Sequence, residues 1–554
     1  MREAIYNHAL RNALQHGKAD AKAVLSKILA ERPELRPKAR DVLKEVEEVV
    51  EEVNRLSPEE IRERGAAFPR ERAAKKEKTL EDLPLSERGA VKLRFAPNPS
   101  GPLHLGHARA AVLNDEYAKR YEGDLILRFE DTDPRRVDPE AYEMIREDLR
   151  WLDVDWSEEV LQSSRFDLYY RYADELLGMG AAYVCTCPPE SFKRHRDAGK
   201  GCPCRDKKTG HEEFEKMFNE YREGEAVLRL KTDLSHRNLS MRDFPIMRIV
   251  ERPHPIAGDR RVYPLMNLSV AVDDHELGLT HVLRGKDHIL NTHKQTFIFD
   301  LFGWEKPQYI HYGLLKIEGV MLSTSETGQG IKDGRYTGWD DVRLGTLAAL
   351  RRRGIQADAV RRTMVEVGAK PTDISFSWKN LYAMNKELID PHAKRYSFVE
   401  SPKTLTIRGC PEKVVKNPLH PVSDMGFREI RLPEGEVRLL IGKEDFSARA
   451  EGDVIRLMGA YNVRISSKDQ SGMEGVFHSM ELEEARRMKA PLINWVVAGE
   501  DVPVKVLSPE GERHGAAEKA LLHAGKDEVV QFERYGFVRI EDKNGAVVAV
   551  FAHR

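Results

Sequence analysis

The chain has 554 residues, 89 Lys and Arg against 91 Asp and Glu, a formal net charge of −2 and an isoelectric point near 6.9. This length exceeds what one hydrophobic core can serve, so three to five domains of roughly 100–200 residues are expected. A mean hydropathy of −0.55, and no apolar run of the roughly 18 residues a membrane span needs, argue against a spanning protein; near-neutral charge leaves a nucleic-acid partner open, since local basic patches decide that.

Residues 1–60 show helical periodicity rich in Ala, Leu, Lys and Glu and end in an acidic stretch, Lys44 to Glu52, so they read as a solvated helical bundle. The first twenty residues are polar, without the apolar stretch of a secretory signal. Residues 68–90 are charged and interrupted by proline, as a linker would be, with order resuming at Val91. Then the pattern changes. Val91–Phe95 reads as a strand, 96–102 (APNPSGP) as a turn, about Gly106 to Tyr121 as a helix, and Leu125–Phe129 as a strand. That is a βαβ unit, the seed of a doubly wound parallel sheet whose ligands bind at strand carboxyl ends, against a helix N-terminus. The chain divides as 1–88 (helical appendage and linker), 89–183 and 263–317 (two halves of the α/β domain), 184–262 (an insertion), 318–395 (loops and helices) and 396–554 (all β). The last has alternating runs such as Thr404–Ile407, Val502–Val506 and Gly545–Val550, enough for one or two barrels.

Within that frame, His104-Leu105-Gly106-His107 is the most informative segment. A strand-to-helix turn brings free N–H groups and a helix dipole to an anion. Both histidines can donate to phosphate oxygens whose charge grows as pyrophosphate leaves, and Gly106 leaves room for a bulky ligand to approach the backbone. Two merely structural histidines are the alternative, disfavoured by their place in the turn. In the insertion, Cys185-Thr186-Cys187 and Cys202-Pro203-Cys204 offer four thiolates around a hairpin-length spacer, which suits a tetrahedral structural Zn2+; four free thiols are the alternative. Five cysteines so placed fit a reducing compartment better than a disulfide framework.

The segment 94–101 (RFAPNPSG) with His104-Leu105-Gly106-His107 resembles the first signature of class I aminoacyl-tRNA synthetases, and more narrowly the glutamyl/glutaminyl branch. Arg128-Phe129-Glu130-Asp131-Thr132-Asp133-Pro134, Asp273-Asp274-His275 with Arg284-Gly285, Gly338-Trp339-Asp340-Asp341, and 531–537 (QFERYGF) resemble further motifs of that branch in its order. The resemblance implies a multidomain α/β plus all-β protein: a Rossmann-type parallel sheet, an inserted zinc-containing domain binding the tRNA acceptor end, a helical stem-contact region, and two C-terminal β-barrels binding the anticodon, as in archaeal-type glutamyl enzymes. It implies a cytoplasmic, monomeric ligase that uses ATP and Mg2+ to form glutamyl-adenylate and then charges tRNA(Glu).

By the same resemblance Ser100, Gly101, His104, Gly106, His107, Ser323 and Ser325 contact ATP; His104, His107, Ser323 and Thr324 carry the catalytic signatures; Arg94, Glu130, Met266 and Arg284 hold glutamate. Arg284 separates the sister activities, because glutaminyl enzymes have an uncharged residue there and a buried carboxylate needs a cation; the bland alternative is a surface arginine paired with Asp287. Two positions depart from the family. Thr324 stands where the Lys-Met-Ser-Lys-Ser-like loop usually has lysine, so either Lys316 or Lys332 supplies that charge, or the hydroxyls, backbone and Mg2+ suffice. Met266 stands where relatives place tyrosine. The resemblance has the basic stretch around 192–208 cradle the acceptor end, with a solvated charged face as the alternative, and Arg351-Arg352-Arg353 either meets the tRNA backbone or is a solvated helix end. Charging of tRNA(Gln), and a protein partner for the N-terminal helices, stay open. Glutaminyl-tRNA synthetase and a catalytically dead tRNA-binding paralogue are the alternatives.

Overall fold

The computed structural model describes residues 1–32, 35, 38–57, 60, 61, 64 and 80–554; the expected linker lies outside the described residues up to position 79. The chain divides into two compact units, Met1–Lys78 and Thr79–Arg554.

In the first unit α1 (Arg2–His16), α2 (Ala21–Glu31) and α3 (Ala39–Asn54) share one core. Val42, Val46, Val49, Val50 and Val53 of α3 are buried, at spacings that trace one helical face. Valine is a poor helix former, so this packing rather than intrinsic propensity holds α3. Glu47, Glu48, Glu51 and Glu52 are exposed on its other side, so the acidic run is a solvated face.

In the second unit β1 (Lys92–Phe95) leads through α4 (Leu105–Tyr121) to β2 (Asp124–Phe129), and β2 through α5 (Ala141–Trp151) to β3 (Glu158–Leu161); the three strands are parallel in the order β1-β2-β3. After α6 (Phe166–Gly178) comes an antiparallel sheet of β4 (Ala182–Cys185), β5 (Val227–Leu230), β6 (Pro245–Ile249) and β7 (Val262–Pro264), with α7 (Pro189–Asp197) and α8 (Gly210–Asn219) between β4 and β5. The chain then returns through α9 (Met266–Glu276) to β8 (His281–Gly285), α10 (Ile289–Phe302) and β9 (Gln308–Tyr312), with β8 and β9 parallel. The free edge of β1 faces β8: Thr280 N–H donates to the Lys92 carbonyl at 3.1 Å. The strand neighbours of β1 therefore belong to two different chain segments, a topological switch at whose carboxyl end a ligand cleft forms. β1 and β2 are buried along nearly their whole length, which explains their continuous apolar character.

Residues 80–90, expected to be linker, pack on this domain instead. Leu83 is buried, its N–H meets Tyr121 Oη at 3.0 Å, Tyr117 Oη donates to the Glu81 carbonyl, and His281 Nε2 lies 2.8 Å from the Pro84 carbonyl. A short stretch with four charged residues and a proline hid the apolar anchor Leu83 and its backbone bonds.

The C-terminal region holds two seven-stranded, barrel-like sheets with separate cores. One has Arg395–Tyr396, Phe398–Glu400 and the strands from Asp501–Ser508 to Val547–His553; the other has Lys403–Cys410, Gly435–Ile441 and the strands from Val454–Leu457 to Trp495–Val497. No helix among the described residues is long and apolar enough to cross a membrane.

Candidate active site

His104 is the N-cap of α4. Its Nδ1 accepts the Gly106 N–H at 3.1 Å, and His107 Nδ1 accepts the His104 N–H at 3.3 Å, a reciprocal cap built from two imidazoles. The rings stack with centroids 3.7 Å apart. Burial pushes His104 down to about 4 and, with His104 alongside, His107 down to about 3, so both are neutral at pH 7. With each Nδ1 accepting, each proton sits on Nε2, which leaves two neutral N–H donors at a helix N-terminus. A Cβ at Gly106 would come 2.9 Å from His104 Cε1, so glycine here also makes room for the capping ring.

The carboxyl ends of β1, β2 and β8 bring together Arg94, Arg128, Glu130 and Arg284, and α9 adds Asp274. Arg128 is fully buried and donates to Asp274 Oδ1 at 2.7 Å and Glu130 Oε1 at 3.2 Å. Arg94 Nε lies 3.4 Å from the same Asp274 oxygen. Arg284, 6 % exposed, contradicts the surface alternative: it does not pair with Asp287, which lies 3.6 Å from His288. Its Nη1 donates to Gln295 Oε1 at 2.7 Å and Thr292 Oγ1 at 3.2 Å, and among the described residues no carboxylate forms an ion pair with it. Burial first, then the Arg94 guanidinium, push Arg284 down to about 10, with Asp274 and Glu130 opposing, so it remains a cation at pH 7. The cluster thus holds three guanidinium groups against two carboxylates. Arg94 Nε, Arg128 Nε, Asp274 Oδ2, Arg284 Nε and Tyr309 Oη are all buried there without a hydrogen-bond partner among the described residues. Buried polar groups are almost always satisfied, so so many together mark a place for a polar ligand.

The signature loop opens α11 (Thr324–Lys332), with Ser323 as N-cap, its Oγ accepting from Glu326 N–H at 3.4 Å and lying 3.3 Å from Ser325 Oγ. It docks on the first turn: a Cβ on Gly101 would come 2.6 Å from Thr324 Cγ2 and 3.0 Å from the Trp339 ring. A strap at 344–346, before α12 (Leu347–Arg352), joins the two signatures. Leu105 N–H donates to the Gly345 carbonyl at 2.9 Å and Gly345 N–H to the Met321 carbonyl at 3.1 Å. Lys332 lies at the far end of α11, roughly 12 Å along the axis from Thr324, so it is poorly placed to replace the missing lysine. Lys316 is exposed in a short strand paired with residues 374–375.

Met266, half-buried, is the first residue of α9; next to it Asn267 Oδ1 lies 3.5 Å from Gln295 Nε2, which joins this helix to the Arg284 network. Ser100 is half-buried beside Gly101. The four cysteine sulfurs lie within 4.8 Å of one another, with Cys185–Cys202 at 3.9 Å and Cys187–Cys204 at 3.6 Å. A tetrahedron of thiolates at ~2.3 Å from zinc has edges of about 3.8 Å, so the set fits the ion. Asp243, buried, accepts from Tyr183 Oη and Arg205 Nε, both at 2.9 Å, and braces the site from beneath. Lys193, Arg194, Lys200, Lys207 and Lys208 are exposed around it, whereas Arg205 is spent on this brace.

Arg351-Arg352-Arg353 is neither a tRNA strip nor a solvated end as a unit. Arg352 forks onto Glu541 at 2.6 and 2.9 Å, and buried Arg353 donates to the Ala552 carbonyl and Tyr382 Oη; only Arg351 is exposed. Sequence reasoning also passed over Gln295, Thr292 and Tyr309. Gln295 and Thr292 lie 11 and 8 residues beyond Arg284 on a helix of ordinary pattern, and only their shared guanidinium reveals them.

A family model described as tRNA synthetases class I (E and Q), catalytic domain, matches residues 90–391, and two models described as anti-codon binding domain match 393–482 and 492–541. Among similar proteins, the glutamate–tRNA ligase of Methanocaldococcus jannaschii is 52% identical over 563 residues, covering 100% of both chains. That of Methanopyrus kandleri is 50% identical over 512 residues, with 90% of each covered. That of Pyrococcus abyssi is 49% identical over 568 residues, with 99% of this chain and 98% of the relative covered.

Proposed function

The chain belongs to the class I tRNA synthetases of the E and Q branch, and from that premise we propose that its buried arginine pocket selects glutamate and its HLGH turn drives adenylation. It is a glutamate–tRNA ligase. The observation that carries the substrate assignment is Arg284: a buried cation hydrogen-bonded only to neutral partners has no ion pair until an acidic side chain enters. Glutamine would leave that charge unpaired. Arg94 takes a substrate carboxylate and Glu130 the ammonium, with Arg128 and Asp274 locking both in place. Met266 packs against the substrate methylenes.

ATP, used with Mg2+, sets its phosphates at the N-terminus of α4. The α-carboxylate of glutamate attacks the α-phosphorus; a new P–O bond forms as the bond to pyrophosphate breaks, and pyrophosphate leaves with the electron pair. His104 and His107 donate through Nε2 to the oxygens that gain charge, so no protein nucleophile is required. Docked on Gly101, the N-terminus of α11 adds its free N–H groups and the hydroxyls of Ser323, Thr324 and Ser325 in place of the absent lysine. The 2′-hydroxyl of the terminal adenosine then attacks the activated carbonyl and AMP leaves.

The two barrels, which match anticodon-binding models, are read as the anticodon site. The exposed lysines around the cysteine cluster are read as the acceptor-end contact, with Cys185, Cys187, Cys202 and Cys204 holding a structural Zn2+ that supplies the core this small segment lacks. The reading implies a cytoplasmic enzyme. Its test is charging of purified tRNAs with labelled glutamate and, separately, glutamine. Glutamate transfer is expected, and Arg284→Cys should lower kcat/KM for glutamate by roughly 100-fold or more, as loss of a charged hydrogen-bonded partner implies. An Arg284→Cys enzyme that kept its glutamate kinetics would remove the pocket reading. Running tRNA(Glu) and tRNA(Gln) side by side decides whether both are substrates.

A further inference from the structure

We propose that the Tyr309 hydroxyl is a second donor to the side-chain carboxylate of bound glutamate, closing from β9 the clamp that Arg284 begins from β8. The inference rests on the reading of Arg284 given above and adds a residue to it.

Strand register places the pair. In the parallel β8–β9 ladder Val282 stands opposite Tyr309 and Arg284 opposite His311, so Tyr309 and His311 share a sheet face with Arg284. The Arg284 guanidinium carbon lies 5.9 Å from the Tyr309 ring centroid. Tyr309 Oη is buried and has no hydrogen-bond partner among the described residues. A tyrosine hydroxyl in such a place ordinarily finds one. Burial and the Asp274 carboxylate raise Tyr309 well above the ordinary phenol range, against the pull of Arg284, Arg94 and Arg128, so the hydroxyl keeps its proton.

The donor count asks for a second group. Nη1 of Arg284 is already committed to Gln295 and Thr292, and Thr292 Oγ1 also lies 2.9 Å from His311 Nε2. What the guanidinium can still offer a ligand is the edge formed by its unpartnered Nε and by Nη2, which no protein acceptor engages among the described residues. A carboxylate has two oxygens and about four lone-pair sites, so one arginine edge leaves acceptor capacity over, and Tyr309 Oη is an orphaned donor on the same sheet face. Met266 offers only a thioether, which hydrogen-bonds weakly, whereas Tyr309 brings a hydroxyl to the Arg284 face from β9.

The test uses full-length enzyme with saturating tRNA(Glu). Tyr309→Phe should raise KM for glutamate by roughly 10- to 100-fold, the range for a hydrogen bond to a charged group, and leave KM for ATP within about two-fold. Because the hydroxyl has no partner in the free protein, the apparent Tm of ligand-free Tyr309→Phe should equal or exceed that of the parent. A glutamate KM within about two-fold of the parent overturns the proposal. So does a fall in ligand-free Tm together with equal losses for glutamate and ATP, since that describes a structural hydroxyl. Arg284→Cys in parallel separates the two ideas: unchanged glutamate kinetics there would remove the parent reading, whereas a silent Tyr309→Phe beside a crippled Arg284→Cys removes this inference alone.

Discussion

Asp148 shows how a single buried group can tie protein stability to pH beneath the phosphate-binding turn. Lying on α5 and 2 % exposed, it accepts the Leu103 N–H through Oδ2 at 2.8 Å, one residue before the capping His104. Burial pushes it up to about 7, while the Leu103 N–H and then Arg351 pull the other way. Its folded value thus stands above the ~3.9 of an unfolded chain. The stability that protonated Asp148 contributes is therefore fully present below about pH 4 and lost as pH rises through about 7. Asn keeps the acceptor without the charge. Asp148→Asn should be more stable than the parent by a margin that widens from pH 4 to pH 8, to at most about 4 kcal/mol, read as a growing gap in apparent Tm. Parallel Tm-versus-pH curves for the two proteins would show that Asp148 ionises freely and that burial is not in control.

Between elements, the structure adds a coupling that no motif spells out. The first turn, the signature loop and the strap at 344–346 are fastened by backbone bonds through Gly345 and by Thr324 packing on Gly101. Gly101→Ala should push the loop off the turn and lower pyrophosphate exchange, measured with tRNA present, by ~10-fold or more. Adding Thr324→Ser, which removes the obstructing methyl, should restore part of that rate. A double variant no better than the single one would mean that the contact with Trp339, not Thr324, governs the site. The βαβ unit was legible because strand, turn and helix each carry local signals, and Arg284 because a family resemblance pointed at it. The Gln295–Thr292 grip and the Gly106–His104 packing were not, since each depends on where a distant or rotated side chain lands. Arg352 and Arg353 misled for the same reason: a charge run reads as surface until its acceptors, Glu541 and the Ala552 carbonyl, fold back on it.

Over the whole molecule, the two C-terminal barrels can act on one anticodon only if their geometry is fixed, and a buried ion network supplies that. Arg428, on a strand (Phe427–Leu432) of the two-stranded ribbon beside the second barrel, donates to Glu518 and to Glu533, both in the first barrel region. Arg428 and Glu518 are about 95 % buried or more, and Asn494 reaches across to the Phe398 carbonyl at 2.9 Å. Such a network contributes little over apolar packing, but removing one member strands a buried charge, at about 3–5 kcal/mol. Arg428→Ala should therefore lower the apparent Tm by several degrees, and Arg428→Met with Glu518→Gln should recover most of it, because no charge is left unpaired. The functional consequence separates binding from chemistry. Loosening the barrels should raise KM for tRNA while glutamate and ATP KM, taken at saturating tRNA, stay near parental values, since the arginine pocket and the HLGH turn share no residue with this network. A loss confined to kcat, with tRNA KM unchanged, would mean instead that the barrels signal to the catalytic sheet, and the contact to follow would then be Arg352 with Glu541, which fastens the helix after the strap to the first barrel.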